Sequence, residues 1–239
     1  MARSLALSLR NVYETFAISL PTVIDASRQR VDVEECNRRL SSWSERVVRN
    51  LDLRLKVEGR EHQDRSKVYV IMSNHQSHYD IPVLYHVLGG NMRMVAKKEL
   101  FRVPIFGAAM EAAGFISVDR SNHQRAIASL EKAKRILAQG INVFIAPEGT
   151  RSKTGELLPF KKGGFNLALD MELPILPVAV RGTRDALPPS AARSASGADV
   201  VVRISPAIDV APYAARGKSG RDALLNDVKA VIARSLTPE

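Results

Sequence analysis

The amino-acid sequence predicts an α/β fold, a mostly parallel central sheet flanked by helices and preceded by an N-terminal pair of amphipathic helices. Three observations carry this expectation. From Leu53 onward, short apolar runs alternate with stretches of helical spacing, the pattern of a sheet covered on both faces. Before Leu53, apolar residues recur only at steps of three and four, the period of a helical face. A length of 239 residues, 45% of them hydrophobic and 25% charged, suffices for a proper core and is ordinary for a folded chain.

Taken in order, Leu5, Leu9, Val12, Phe16, Leu20 and Val23 mark a first helix. A second, about Val33 to Leu51, sets Leu40, Trp43, Val47 and Leu51 apart from Arg38, Arg39, Arg46 and Arg49. Helices of this make-up either cover a core or lie in a lipid headgroup layer. Residues 1–52 are therefore expected to form a membrane-docking segment and residues 53–239 the α/β domain. Val68 to Met72, Phe115 to Val118, Val143 to Ala146, Ile175 to Val180 and Val200 to Ile204 read as buried strands. Ile81 to Leu88, Pro104 to Ala113, His123 to Ala138, Gly163 to Met171 and Arg221 to Leu236 read as helices. Pro188 to Gly197, rich in Pro, Ala and Ser, reads as a surface loop.

A net charge of +10 implies an anionic partner, whether acidic lipid, acidic protein or nucleic acid. The single Cys36 gives no disulfide framework, so a reducing compartment fits. Leu5 to Ile24 is interrupted by Arg10, Asn11 and Glu14 and makes a poor spanning helix. Contact with lipid would then be peripheral, at the cytoplasmic face of a membrane.

The chemistry concentrates where strands end. Val68 to Met72 leads into Ser73-Asn74-His75-Gln76-Ser77-His78-Tyr79-Asp80-Ile81-Pro82. The carboxyl ends of strands are where open α/β sheets bind ligands. On a continuous helix His75 and Asp80 would stand about 140° apart. In a strand-to-helix turn, with Asp80 near the helix start, the carboxylate can fold back to the imidazole. A His with an orienting carboxylate is the arrangement of a general base, and an imidazole ordinarily titrates near pH 6.5 (about). Two other strand ends supply Arg120, after Gly114-Phe115-Ile116-Ser117-Val118-Asp119, and Arg151, within Ile145-Ala146-Pro147-Glu148-Gly149-Thr150-Arg151-Ser152. A guanidinium suits phosphate because its planar fork meets two oxygens at once.

These segments, taken together, resemble the glycerolipid acyltransferases of the 1-acylglycerol-3-phosphate O-acyltransferase family. Asn74 to Asp80 is similar to the His-four-residues-Asp block, Gly114 to Arg120 to the second block, Glu148 to Ser152 to the third, and Leu173-Pro174-Ile175-Leu176-Pro177-Val178 to the fourth. Lys97-Lys98-Glu99-Leu100, before Pro104 and Gly107, is family-like as well. The order of the blocks, over roughly Val70 to Thr183, is more specific than any one of them. The departure is Ala146, where the family usually carries an aromatic residue before Pro147.

The resemblance implies that His75 deprotonates an acceptor hydroxyl, which attacks an acyl thioester, while Asp80 orients the base. It implies that Arg120, Glu148, Gly149, Thr150 and Arg151, with Lys97 from the adjoining block, bind the glycerol phosphate. The donor would be acyl-CoA or acyl carrier protein and the acceptor 1-acylglycerol 3-phosphate, giving phosphatidic acid for phospholipid biosynthesis. Glycerol 3-phosphate, another lysophospholipid and a lyso-ornithine lipid are the alternative acceptors. No cofactor or metal is implied, and the membrane partner would be an anionic surface. Direct transfer also agrees with the lack of a Gly-x-Ser-x-Gly elbow and with Cys36 lying far from His75 in the chain.

A metal hydrolase would use His75, His78 and Asp80, but no further His or Cys cluster completes a usual site. Gly217-Lys218-Ser219 lacks the upstream glycine of a phosphate loop, Pro212 standing there instead. A basic lipid- or nucleic-acid-binding protein would explain the charge and leave His75 and Asp80 idle. No nucleic-acid partner is expected, since aromatic residues do not interleave with the basic ones.

Overall fold

The computed structural model describes residues 2–119 and 123–237. In chain order the elements are β1 (Arg3–Ser4), α1 (Leu5–Ser27), α2 (Val33–Asn50), β2 (Arg54–Glu58), β3 (Val70–Ser73), α3 (Asp80–Leu88), β4 (Met92–Lys97), α4 (Phe106–Ala112) and β5 (Ile116–Val118). There follow α5 (His123–Ala138), β6 (Asn142–Ile145), α6 (Gly163–Asp170), β7 (Ile175–Arg181), α7 (Thr183–Ala186), β8 (Ser194–Ala195), β9 (Asp199–Ile204), α8 (Ala211–Ala214) and α9 (Gly217–Leu236).

Among the described residues the central sheet has seven strands in the order β2-β9-β7-β3-β6-β4-β5. Strands β7, β3, β6, β4 and β5 run parallel, so their carboxyl ends share one edge; β9 pairs antiparallel with β7 and parallel with β2. The expected α/β class and mostly parallel sheet are what the chain forms.

Side chains alternate across β3 and divide the core. Tyr69 and Ile71 face one layer with Leu40 and Val48 of α2, Val83, Leu84 and Val87 of α3, and Met110 of α4. Val70 and Met72 face the other with Ile136 of α5, Phe165 and Leu167 of α6, and Val228 and Ile232 of α9. All four residues of β3 are buried, so it lacks the polar alternation of a half-exposed strand.

The two N-terminal helices differ in what they bury. Helix α2, capped by Asp32 accepting from Glu35 N at 2.7 Å, puts Leu40, Val47 and Val48 into the core. Helix α1 is reversed. Asn11, Ser19 and Thr22 face inward, while Leu5, Leu9, Val12, Tyr13, Phe16, Leu20 and Ile24 are exposed, Tyr13 by 68%. Polar bonds hold α1 to α2: Arg46 pairs with Glu14 at 2.6 Å, Arg39 with Asp25, and Trp43 Nε1 donates to Thr15 Oγ1 at 3.1 Å. The sequence pattern places the helices without telling the two apart.

Two sheet strands escape the sequence reading. In β2, charged residues alternate with Leu55 and Val57, as befits an edge strand. Arg93 interrupts β4, and in the structure it is only 2% exposed. Its guanidinium is satisfied by neutral oxygens: Ala113 O, Asn37 Oδ1 at 2.8 Å, Met92 O at 2.9 Å and Gly90 O at 3.1 Å. A buried arginine thus ties the start of α2 and the end of α4 to the sheet. The expected loop from Pro188 to Gly197 contains β8, which pairs antiparallel with β1.

Candidate active site

Every strand of the parallel set delivers residues to the shared edge. Strand β3 ends in Ser73, and the next residue, Asn74, takes the ladder's place: its Nδ2 donates to Val180 O and its Oδ1 accepts from Val180 N, both at 2.8 Å. That double bond to β7 fixes the loop carrying His75. The chain then turns into α3, with Asp80 in the first turn and wholly buried.

The turn brings His75 and Asp80 together as the sequence led one to expect. His75 Nδ1 lies 2.7 Å from Asp80 Oδ2, and the same oxygen accepts from Gln76 N at 2.7 Å and Ser77 N at 2.9 Å. With a carboxylate facing Nδ1, that nitrogen carries the proton and Nε2 keeps its lone pair. The ring is partly exposed while the carboxylate is sealed off, so the imidazole can meet a substrate and its orienting group cannot.

Glu148 holds the base's loop through its backbone. Its Oε1 accepts from His75 N at 2.7 Å and its Oε2 from Leu158 N at 2.8 Å, and the residue is 3% exposed. The structure places this residue, expected on the substrate, as a strut between the first and third blocks, each oxygen accepting one backbone N–H. Burial pushes the Glu148 carboxyl above the ordinary glutamate range, and the bonds from Leu158 N and His75 N pull the other way. Ser152 N closes the same joint by donating to His75 O at 2.8 Å.

Gly149 turns the third block with φ of 71°, a left-handed conformation that glycine accepts at no steric cost. Thr150 is exposed beside it and Arg151 is half-buried. Burial lowers the Arg151 guanidinium's pKa below the ordinary arginine value, and the Asp80 charge partly restores it. Among the described residues no hydrogen bond or ion pair occupies that guanidinium. Lys97 stands exposed at the end of β4, while Lys98 pairs with Asp119 at 2.9 Å. Arg120 lies outside the described residues. His78, although open to solvent on one side, is pushed down to about 4, by desolvation first and then by the Arg151 charge.

An apolar cavity of about 280 Å³ runs from the third block between α5 and α6, lined by Val118, Leu130, Ile145, Ala146, Gly149 and Gly164 among others. Ala146, the departure from the family pattern, forms part of its wall; an aromatic ring there would take up part of this space. The sequence reading missed Thr183, which is fully buried and whose hydroxyl donates to Asp80 Oδ1. The available signal was Gly182 directly after a strand of the shared edge, with φ of 97° marking a tight turn.

The family model described as Acyltransferase matches residues 54–181, a span that runs from β2 to the end of β7. The chain belongs to the acyltransferase family. Among its curated relatives, 1-acyl-sn-glycerol-3-phosphate acyltransferase alpha of Homo sapiens is 39% identical over 134 residues, covering 56% of this chain and 47% of the relative. The 1-acyl-sn-glycerol-3-phosphate acyltransferase of Cocos nucifera is 40% identical over 128 residues, covering 53% of this chain and 41% of the relative. The chain spans about half the length of the curated relatives it matches. The crystal structure of the 1-acyl-sn-glycerophosphate acyltransferase from Thermotoga maritima superposes with a TM-score of 0.78 at 25% identity. That likeness covers 97% of this chain and 94% of the other, so it extends over the N-terminal helices as well.

Proposed function

We propose that this acyltransferase moves a fatty acyl group from acyl-CoA or acyl carrier protein to the free hydroxyl of 1-acylglycerol 3-phosphate, giving phosphatidic acid for phospholipid biosynthesis. The observation that carries the reading is the His75–Asp80 pair, with Nδ1 held at 2.7 Å and Nε2 left as the base. Nε2 takes the hydroxyl proton as the oxygen attacks the thioester carbonyl carbon. The tetrahedral adduct then collapses, the C–S bond breaks, and the thiolate leaves with the proton from His75. Because a thioester is already activated, holding hydroxyl and carbonyl in register supplies much of the acceleration.

Arg151, Lys97 and Arg120 receive the acceptor's phosphate, and Gly149 and Thr150 shape the turn against it. The cavity of about 280 Å³ beside Gly149 takes an acyl chain, being apolar and continuous with the third block. Helix α1 docks on an anionic membrane at its cytoplasmic face. Its reversed polarity supports this, since among the described residues it leaves seven apolar side chains exposed. No described helix is long and apolar enough to cross a membrane. The net charge of +10 draws the chain to anionic lipid and to acidic donors.

The test is to incubate purified protein with lysophosphatidic acid in anionic vesicles, supplying acyl-CoA and acyl carrier protein donors in parallel. Phosphatidic acid from at least one donor is the expected result. No product from either overturns the acceptor assignment and directs the assay to glycerol 3-phosphate, other lysophospholipids and lyso-ornithine lipid.

A further inference from the structure

We propose that Thr183 is a positioning residue of the transfer reaction, its hydroxyl fixing the Asp80 carboxylate so that Oδ2 stays presented to His75. The two carboxylate oxygens are held from different parts of the fold. Oδ2 meets His75 Nδ1, Gln76 N and Ser77 N, all from the loop that contains the base. Oδ1 accepts from Thr183 Oγ1, which belongs to the segment after β7. The three donors on Oδ2 all belong to one loop, and the Thr183 hydroxyl on Oδ1 ties the same carboxylate to a second element, so its orientation is held from both sides. Both residues are fully buried, so no bulk water stands ready to replace the hydroxyl.

Thr183 is itself fixed by its surroundings. Gly182, at φ of 97°, lies against the backbone of β9, and a Cβ there would meet Asp199 O at 1.9 Å. A second strap runs alongside, Ser77 Oγ donating to Leu187 O at 2.8 Å. Next to Thr183, Arg184 donates to Thr154 O at 3.1 Å and to Lys153 O at 2.6 Å, anchoring the third block's loop to the same short helix. Segment α7 therefore braces the loop of the base and the loop of the third block together, and Thr183 is its contact with the dyad. The position lies just beyond the matched family span of residues 54–181.

Thr183→Val keeps the shape and removes the hydroxyl, and Thr183→Ser keeps the hydroxyl. This inference rests on the proposed reaction, so kinetics are paired with a measurement that needs no turnover. In kinetics, Thr183→Val is expected to lower kcat roughly tenfold with KM for the acceptor within about twofold. The acid limb of its pH–kcat profile should move to higher pH, because a carboxylate that loses a donor turns more of its charge on the imidazolium. Thr183→Ser should restore both. The charged and titratable groups about the dyad are Glu148 and Arg151 after β6, His78 in the same loop and Lys97 at the end of β4, and none is altered by the substitution.

Proton NMR of the histidine N–H region reads the positioning directly. The His75 Nδ1–H resonance should shift or broaden in Thr183→Val and return in Thr183→Ser. Thr183→Ala, which cannot overpack the site, serves in the same way if the valine variant fails to fold. Wild-type kcat and an unmoved acid limb in Thr183→Val, or an unchanged resonance, would overturn the inference. A wild-type protein inactive on the acceptor would instead count against the proposed reaction, leaving the NMR comparison to decide the role of Thr183.

Discussion

Glu148 touches the base through a peptide N–H, and that contact sets what a change there should do. Burial raises its carboxyl above the ordinary value, so the folded protein holds this proton more tightly than the unfolded chain. The sign follows from linkage: its contribution to stability is fully present below the unfolded value, about 4.3, and is lost as pH rises through the folded one. Glu148→Gln removes that dependence. The melting temperature of wild type minus that of the variant should be greatest near about pH 4 and decline toward neutrality. A difference that widens with pH would contradict this account. The sequence showed Glu148 as part of a motif, but no pattern in it reveals whether a carboxylate faces a ligand or two backbone amides. Thr183 was hidden for the same reason, its partner being 103 positions away.

At the scale of the element, α1 and α2 share a periodicity and differ in fate. Spacing identifies an apolar stripe; it does not say whether protein or lipid covers it. Packing shows which stripe the protein itself covers, since α2 inserts Leu40 and Val48 into the core and α1 turns Asn11 and Thr22 inward. Asn11 Nδ2 also donates to the Tyr79 hydroxyl at 3.0 Å, linking α1 to the residue before Asp80. If the outer face of α1 enters lipid, a charge placed there must weaken binding. Leu9→Glu and Leu20→Glu should each reduce partition onto anionic vesicles at least about tenfold, at ~1.4 kcal/mol per decade. Sedimentation with vesicles measures it, and unchanged partition in both variants would remove α1 from the docking surface. The strands were legible where they were continuously apolar, as in β3 and β7. Strand β4 was not, because the interior that Arg93 finds among carbonyl oxygens exists only after α2 and α4 have packed.

For the whole molecule, the parallel set β7-β3-β6-β4-β5 gathers segments distant in sequence onto one edge. That is why the fold class and the dyad could be read from strand ends, and why the cavity and the bracing segment α7 could not. The central claim is that His75 acts as the base and Asp80 works through it. It is tested most directly by kcat of acyl transfer in His75→Ala, Asp80→Asn and the double variant, each shown by circular dichroism to be folded. Residues acting as one unit lose their contribution together. Each single change is expected to cost roughly a hundredfold or more, and the double variant should be little worse than His75→Ala alone. A folded His75→Ala that transfers acyl groups at the wild-type rate would contradict the account.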